Sequence, residues 1–101
     1  MKQPTYPLNE LLKLVRGNTA VVTRSAKQGA YALRLDNDDV IQIVSELDAR
    51  SFYKSMPAEK MPGFFQDVYR VNTRGLRLYI KLQVRNERVV IVSFKEDESA
   101  K

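Results

Sequence analysis

The chain has 101 residues, 44% hydrophobic and 29% charged, which is enough for one domain with a modest core and too apolar for a disordered segment. It has no histidine and no cysteine, which excludes disulfides, thiolate metal ligation and every mechanism built on imidazole or a thiol. The net charge of +5 is uneven: residues 51–95 hold nine Lys and Arg against three Asp and Glu, while residues 1–50 hold seven against six. The second half therefore suits a polyanion, although a merely solvated basic surface has the same composition. No apolar run is long enough to span a membrane, and MKQPTYPL has no apolar signal core, so a cytoplasmic protein without a membrane partner is expected.

In chain order, Leu8, Leu11, Leu12 and Val15 follow helical spacing, with Pro7 in the first turn and Gly17 or Asn18 as the stop. TAVVT (19–23) reads as a short strand. Ser25 is placed to cap a second helix, in which Gly29 is a weak point. LDNDDVIQIVSEL reads as a third helix, capped by Asp36 or Asn37, with Val40, Ile41, Val44 and Leu47 on its buried face. From Arg50 the pattern changes to strands: RSFYKSM, GFFQDVYRV, LRLYIKLQV and RVVIVSFKE, separated by turn-forming segments. The expected class is α+β, with N-terminal helices packed on a C-terminal antiparallel sheet, in one domain over residues 1–101 with a frayed tail at 96–101.

The last hairpin carries a register argument. Leu78, Ile80, Leu82 and Val84 alternate with Tyr79, Lys81 and Gln83, so the even positions face the core. A two-residue Asn86-Glu87 turn would set Lys95 opposite Leu78 and require positive φ at Glu87. A three-residue loop, Asn86-Glu87-Arg88, instead pairs Val84 with Val90, Ile80 with Phe94 and Tyr79 with Lys95. It makes Val90, Val92 and Phe94 the core set of the last strand, with Tyr79 and Lys95 together on the open face.

Four segments, FYKSM (52–56), QDVYR (66–70), LYIKL (78–82) and VIVSFKE (90–96), resemble in order and spacing the MqsR family of ribonuclease toxins from type II toxin–antitoxin pairs. The resemblance is close from Ser51 to Glu96 and architectural before that. The last hairpin is one residue longer here than in the family pattern, which a three-residue loop absorbs. The resemblance implies a RelE-like α+β fold, mRNA as substrate and a cognate, MqsA-like antitoxin as partner. It implies Lys54, Gln66, Tyr79 and Lys95 as catalytic residues, and places Arg70 and Met56 in the same blocks. Lys81 and Arg77 join Arg70 and Met56 as expected RNA contacts, and Arg77 and Arg85 are expected to raise affinity without affecting sequence preference.

Such a set can cleave RNA with neither metal nor cofactor, because RNA carries its own nucleophile in the 2′-hydroxyl. Lys54 and Lys95 would stabilise the negative charge that grows at phosphorus. Tyr79 or a lysine would move protons, Gln66 would donate to a phosphate oxygen or read a base edge, and Arg70 would grip a neighbouring phosphate. Two other readings stay open: an RNA-binding module stacking bases on Tyr53, Phe64, Phe65, Tyr69 and Tyr79, and an inactive toxin kept for antitoxin contact.

Overall fold

Three helices precede most of a five-stranded sheet in the computed structural model, which describes residues 3–58 and 60–98. The elements are α1 (Leu8–Arg16), β1 (Ala20–Val22), α2 (Arg24–Ala32), α3 (Asn37–Ser45), β2 (Phe52–Pro57), β3 (Phe65–Thr73), β4 (Leu76–Arg85) and β5 (Arg88–Glu96), with a 3-10 turn over Ala49–Ser51. The sheet order is β1-β5-β4-β3-β2. The four C-terminal strands form an antiparallel meander, as expected, and β1 joins the outside of β5 in parallel, which makes the sheet mixed.

The helices cover one sheet face. Leu11 and Val15 of α1, Ala26 and Ala30 of α2, and Val40, Ile43 and Val44 of α3 are buried against Tyr69, Leu78, Ile80, Leu82, Val89, Ile91 and Phe94. In α3 the buried stripe runs through Ile43, and Ile41 is only half-buried beside it. Asp36 caps α3 in a reciprocal capping box: its carboxylate accepts from Asp39 N–H, and Asp39 accepts from Asp36 N–H. Asp39 also pairs with Arg74 at 2.8 Å, which fastens the start of α3 to the β3–β4 turn.

The cap of α2 is Thr23, not Ser25. Its hydroxyl accepts from Ala26 N–H and is itself directed at two carbonyls of β5, Ile91 O at 3.1 Å and Val92 O at 3.0 Å. One side chain thus satisfies a helix terminus and ties it to the sheet. Gly29 is not a weak point but a condition of close packing. A Cβ there would lie 1.9 Å from Phe94 O, so only glycine lets α2 sit directly on β5.

The β4–β5 hairpin differs from the expected form in an informative way. The turn is the two-residue Asn86-Glu87, with φ of 51° and 60°, and Arg85 pairs with Arg88. Val92 then forms a bulge: Leu82 pairs with Ile91 while Lys81 pairs with Ser93. The bulge restores the Ile80–Phe94 and Tyr79–Lys95 pairs that a three-residue loop was expected to supply. It also changes the core set to Val89, Ile91 and Phe94, with Val92 displaced toward the open face. Thr23 holds the bulge carbonyls, so β1, α2 and the bulge form one unit.

At the other end of the sheet, the segment before α1 is held by Asp67. This buried carboxylate accepts from Thr5 N–H at 3.0 Å and Tyr6 N–H at 2.9 Å. The Tyr6 hydroxyl donates to Phe65 O. Glu96 and Asp97, placed in the expected frayed tail, are instead held by the sheet: Glu96 pairs with Leu78, and Asp97 is buried, its N–H donating to Arg77 O at 2.8 Å. Residues 99–101 lie outside the described residues.

Candidate active site

The sheet face away from the helices carries the expected catalytic and RNA-contact residues, whereas Tyr69, a candidate for base stacking, is buried on the helix side. On β4 the unbroken alternation puts Arg77, Tyr79, Lys81, Gln83 and Arg85 on it. On β3 the partners on the same side are Asn72 opposite Arg77, Arg70 opposite Tyr79 and Val68 opposite Lys81, followed by Gln66. On β5, Lys95 lies opposite Tyr79 and Ser93 opposite Lys81. On β2, Lys54 lies opposite Val68 and Met56 opposite Gln66. One row across the sheet therefore reads Arg70–Tyr79–Lys95, and the next reads Lys54–Val68–Lys81–Ser93.

A second bulge adds an aromatic ring. Phe52 pairs with Tyr69 on the helix side, where their rings meet edge to face at 5.6 Å, and Lys54 pairs with Val68, leaving Tyr53 as the extra residue. Its exposed ring has the Arg70 guanidinium 4.8 Å and Lys54 Nζ 5.4 Å from its centroid. Tyr79 is flanked in the same manner, with Lys95 Nζ at 5.4 Å and Lys81 Nζ at 6.0 Å. Two tyrosines, each between two cations, thus stand on one face with Arg70 of β3 between them.

The face is divided into clefts. Tyr79, Lys81 and Lys95 line a shallow one of about 170 Å³, closed at one end by Glu96, Asp97 and Glu98. Lys81 also lines a larger groove of about 460 Å³, with Met56, Gln66, Gln83, Arg85 and Ser93. Arg70, Arg77 and Arg50 share a third, of about 420 Å³, near the β3–β4 turn. The structure therefore puts Tyr79, Lys81 and Lys95 together, and Gln66 with Met56 in the adjoining groove. Lys54 sits with Tyr53 and Arg70, two strand spacings from Lys81, roughly 10 Å across the sheet.

Two members of the face are not visible as such in the sequence. Asp97, expected in the tail, forms a 2.7 Å ion pair with Arg70 Nε, and this hydrogen bond raises the Arg70 pKa further and keeps the guanidinium charged. Arg70 is thus oriented by a buried carboxylate and by Tyr53. Gln83 shares the parity of Tyr79 and Lys81, which the alternation does signal, but its burial, in a groove lined also by Ala58, Lys60 and Met61, is a long-range result. Among the described residues, no group of three or more Asp or Glu gathers in a way that could hold a metal ion.

Residues 3–96 match the model of a family described as motility quorum-sensing regulator, toxin of MqsA. The chain is also 37% identical, over 95 residues, to the mRNA interferase toxin MqsR of Escherichia coli (strain K12), an alignment covering 94% of this chain and 96% of that protein. The chain belongs to the MqsR toxin family. The match covers every strand of the basic face, so the family assignment and the site geometry concern the same residues.

Proposed function

We propose that this chain is an mRNA interferase, an endoribonuclease toxin acting in the cytoplasm and neutralised by a cognate, MqsA-like antitoxin. The observation that carries the reading is Tyr79 held between Lys81 and Lys95 on an open basic sheet face, in a chain similar over 94% of its length to a named mRNA interferase. In the reaction the 2′-oxygen of one ribose attacks the adjoining phosphorus, the bond to the 5′-oxygen breaks, and the products are a 2′,3′-cyclic phosphate and a 5′-hydroxyl. One proton leaves the 2′-hydroxyl and one reaches the departing 5′-oxygen. Tyr79 and its flanking lysines make these proton transfers, Lys95 and Lys81 balance the charge growing on the phosphate oxygens, and Gln66, in the next groove, is a neutral donor. Lys54 and Arg70, stacked on Tyr53, hold the RNA backbone on the far side, and Arg77 and Met56 extend the contact. This chemistry uses no metal or cofactor.

The test is biological and chemical together. Expression of the chain should arrest growth, co-expression of the antitoxin encoded beside it should restore growth, and the purified chain should cut a defined RNA. Normal growth together with intact RNA would refute the reading.

A further inference from the structure

The groove next to the Tyr79 cleft contains donors that have nothing to bond. Gln83 is 2% exposed, and its Nε2 has no hydrogen-bond partner among the described residues; the same holds for Arg85 Nε, two residues further along the same face of β4. Buried donors are paired in the great majority of cases, so two orphans lining one groove indicate a site built for something that brings acceptors. Rotating the Gln83 amide would present its oxygen instead, but Arg85 Nε can only donate. The Arg85 fork is turned to one side, with Nη1 donating to Met61 Sδ at 3.5 Å.

The remaining walls describe the shape of the ligand. Met56, Met61 and Val90 give flat, polarisable apolar surface, Lys60 and Lys81 give positive charge, and the described lining contains no Asp or Glu. A planar group with apolar faces, an acceptor edge and an anionic attachment fits this lining, and that combination is a nucleobase on its phosphodiester. Position agrees: Gln83 is two residues from Lys81 and four from Tyr79, roughly 7 Å and 14 Å along the strand, so a base here belongs to a nucleotide near the cut.

We propose that this groove is a base-reading subsite in which Gln83 and Arg85 donate to the carbonyl edge of a nucleobase adjoining the scissile bond. Guanine and uracil offer a carbonyl oxygen where adenine and cytosine carry an amino donor, so the subsite selects keto bases over amino bases. Arg85 is then a specificity residue and not the sequence-independent phosphate contact expected from its charge alone. The inference rests on the chain being a ribonuclease.

The experiment measures kcat/KM on short RNAs with one cleavage site, carrying each of the four bases in turn at the two positions flanking the cut. At one position the unaltered chain should prefer keto over amino bases by about 10- to 100-fold. Gln83→Leu keeps the volume and removes the donor, and should lower the keto rates until the preference is within about threefold, without a lower melting temperature. Arg85→Met should act in the same direction and provides a second reading. An unaltered chain that cuts RNA with no keto preference, or folded Gln83→Leu and Arg85→Met variants that retain it, would overturn the subsite alone. An unaltered chain that cuts none of the RNAs would overturn the ribonuclease reading, and the subsite with it.

Discussion

Tyr69 is the third buried side chain with an unpartnered polar atom among the described residues, and it lies on the opposite, helix-covered side of the sheet. Its ring fills the core against Phe52, but its hydroxyl finds no acceptor. Burial pushes its pKa up to about 12, and the Asp67 carboxylate nearby adds to the effect. Because the folded value lies above the unfolded one near 10, the unfolded chain ionises first, and stability falls as pH rises from about 10 toward 12. Tyr69→Phe removes the orphan group and should be neutral or stabilising at pH 7, and should lose less stability than the parent over that alkaline range. Thermal melts at pH 7, 10 and 11.5 check both points; a variant clearly less stable at pH 7 would mean the hydroxyl has a partner after all. From the sequence Tyr69 reads as a candidate for base stacking. It faces the core instead, because it pairs with the buried Ile80 of β4, and the Tyr53 bulge then sets Phe52 against its ring. The side of the sheet taken by Tyr79 was legible because strand parity is a local rule; its pairing with Lys95 was expected from a three-residue loop and is delivered instead by the Val92 bulge, and Asp97 was not legible, since its burial depends on Arg70, 27 residues away.

At the scale of elements, the order and type of every helix and strand follow from periodicity, and the errors fall where the chain departs from it. Positive φ at Glu87 weighed against a two-residue turn, yet the chain accepts that strain and regains register through the Val92 bulge, which no alternation pattern announces. The two accounts of the hairpin predict opposite things for glycine. Glu87→Gly should stabilise the protein by about 0.5–1 kcal/mol, since glycine adopts positive φ without the left-handed penalty. Arg88→Gly, the favoured change in a three-residue loop, should give no gain; chemical denaturation of both variants decides between them. Thr23 shows why the cap was misplaced: its hydroxyl is claimed by both the helix and the bulge, and the second demand lies outside the local sequence. Gly29 makes the strongest prediction of this kind. Gly29→Ala sets a methyl group into the Phe94 carbonyl and should cost about 1–3 kcal/mol or more. It should also disturb Lys95, the next residue on β5, so melting temperature and RNA cleavage should fall together. Unchanged melting would mean that α2 does not rest on β5 as described.

Across the whole molecule the division of labour is between two faces of one sheet. The helix side supplies stability through an apolar core, and the open side concentrates Lys54, Arg70, Arg77, Lys81 and Lys95 on strands whose backbones that core holds in place. RNA affinity should therefore be salt-dependent, and Lys81→Gln should reduce the slope of log Kd against log salt by about 0.7, the value for one phosphate contact on a single strand. Lys13→Gln, on the exposed side of α1, should leave the slope unchanged. Equal effects of the two substitutions would put the RNA path off the sheet. The charge concentrated in residues 51–95 was legible in the sequence, while the groove beside the Tyr79 cleft was not, because Ala58, Lys60 and Met61 join its walls from beyond the end of β2. The most direct measurement of the central claim is end-group analysis of a defined RNA cut in excess EDTA by the parent, Lys95→Ala and Tyr79→Phe proteins. The account predicts 2′,3′-cyclic phosphate and 5′-hydroxyl ends from the parent, and each variant folded but slower by roughly 10²-fold or more. Loss of parental cleavage in EDTA, or full activity in Lys95→Ala, would contradict it.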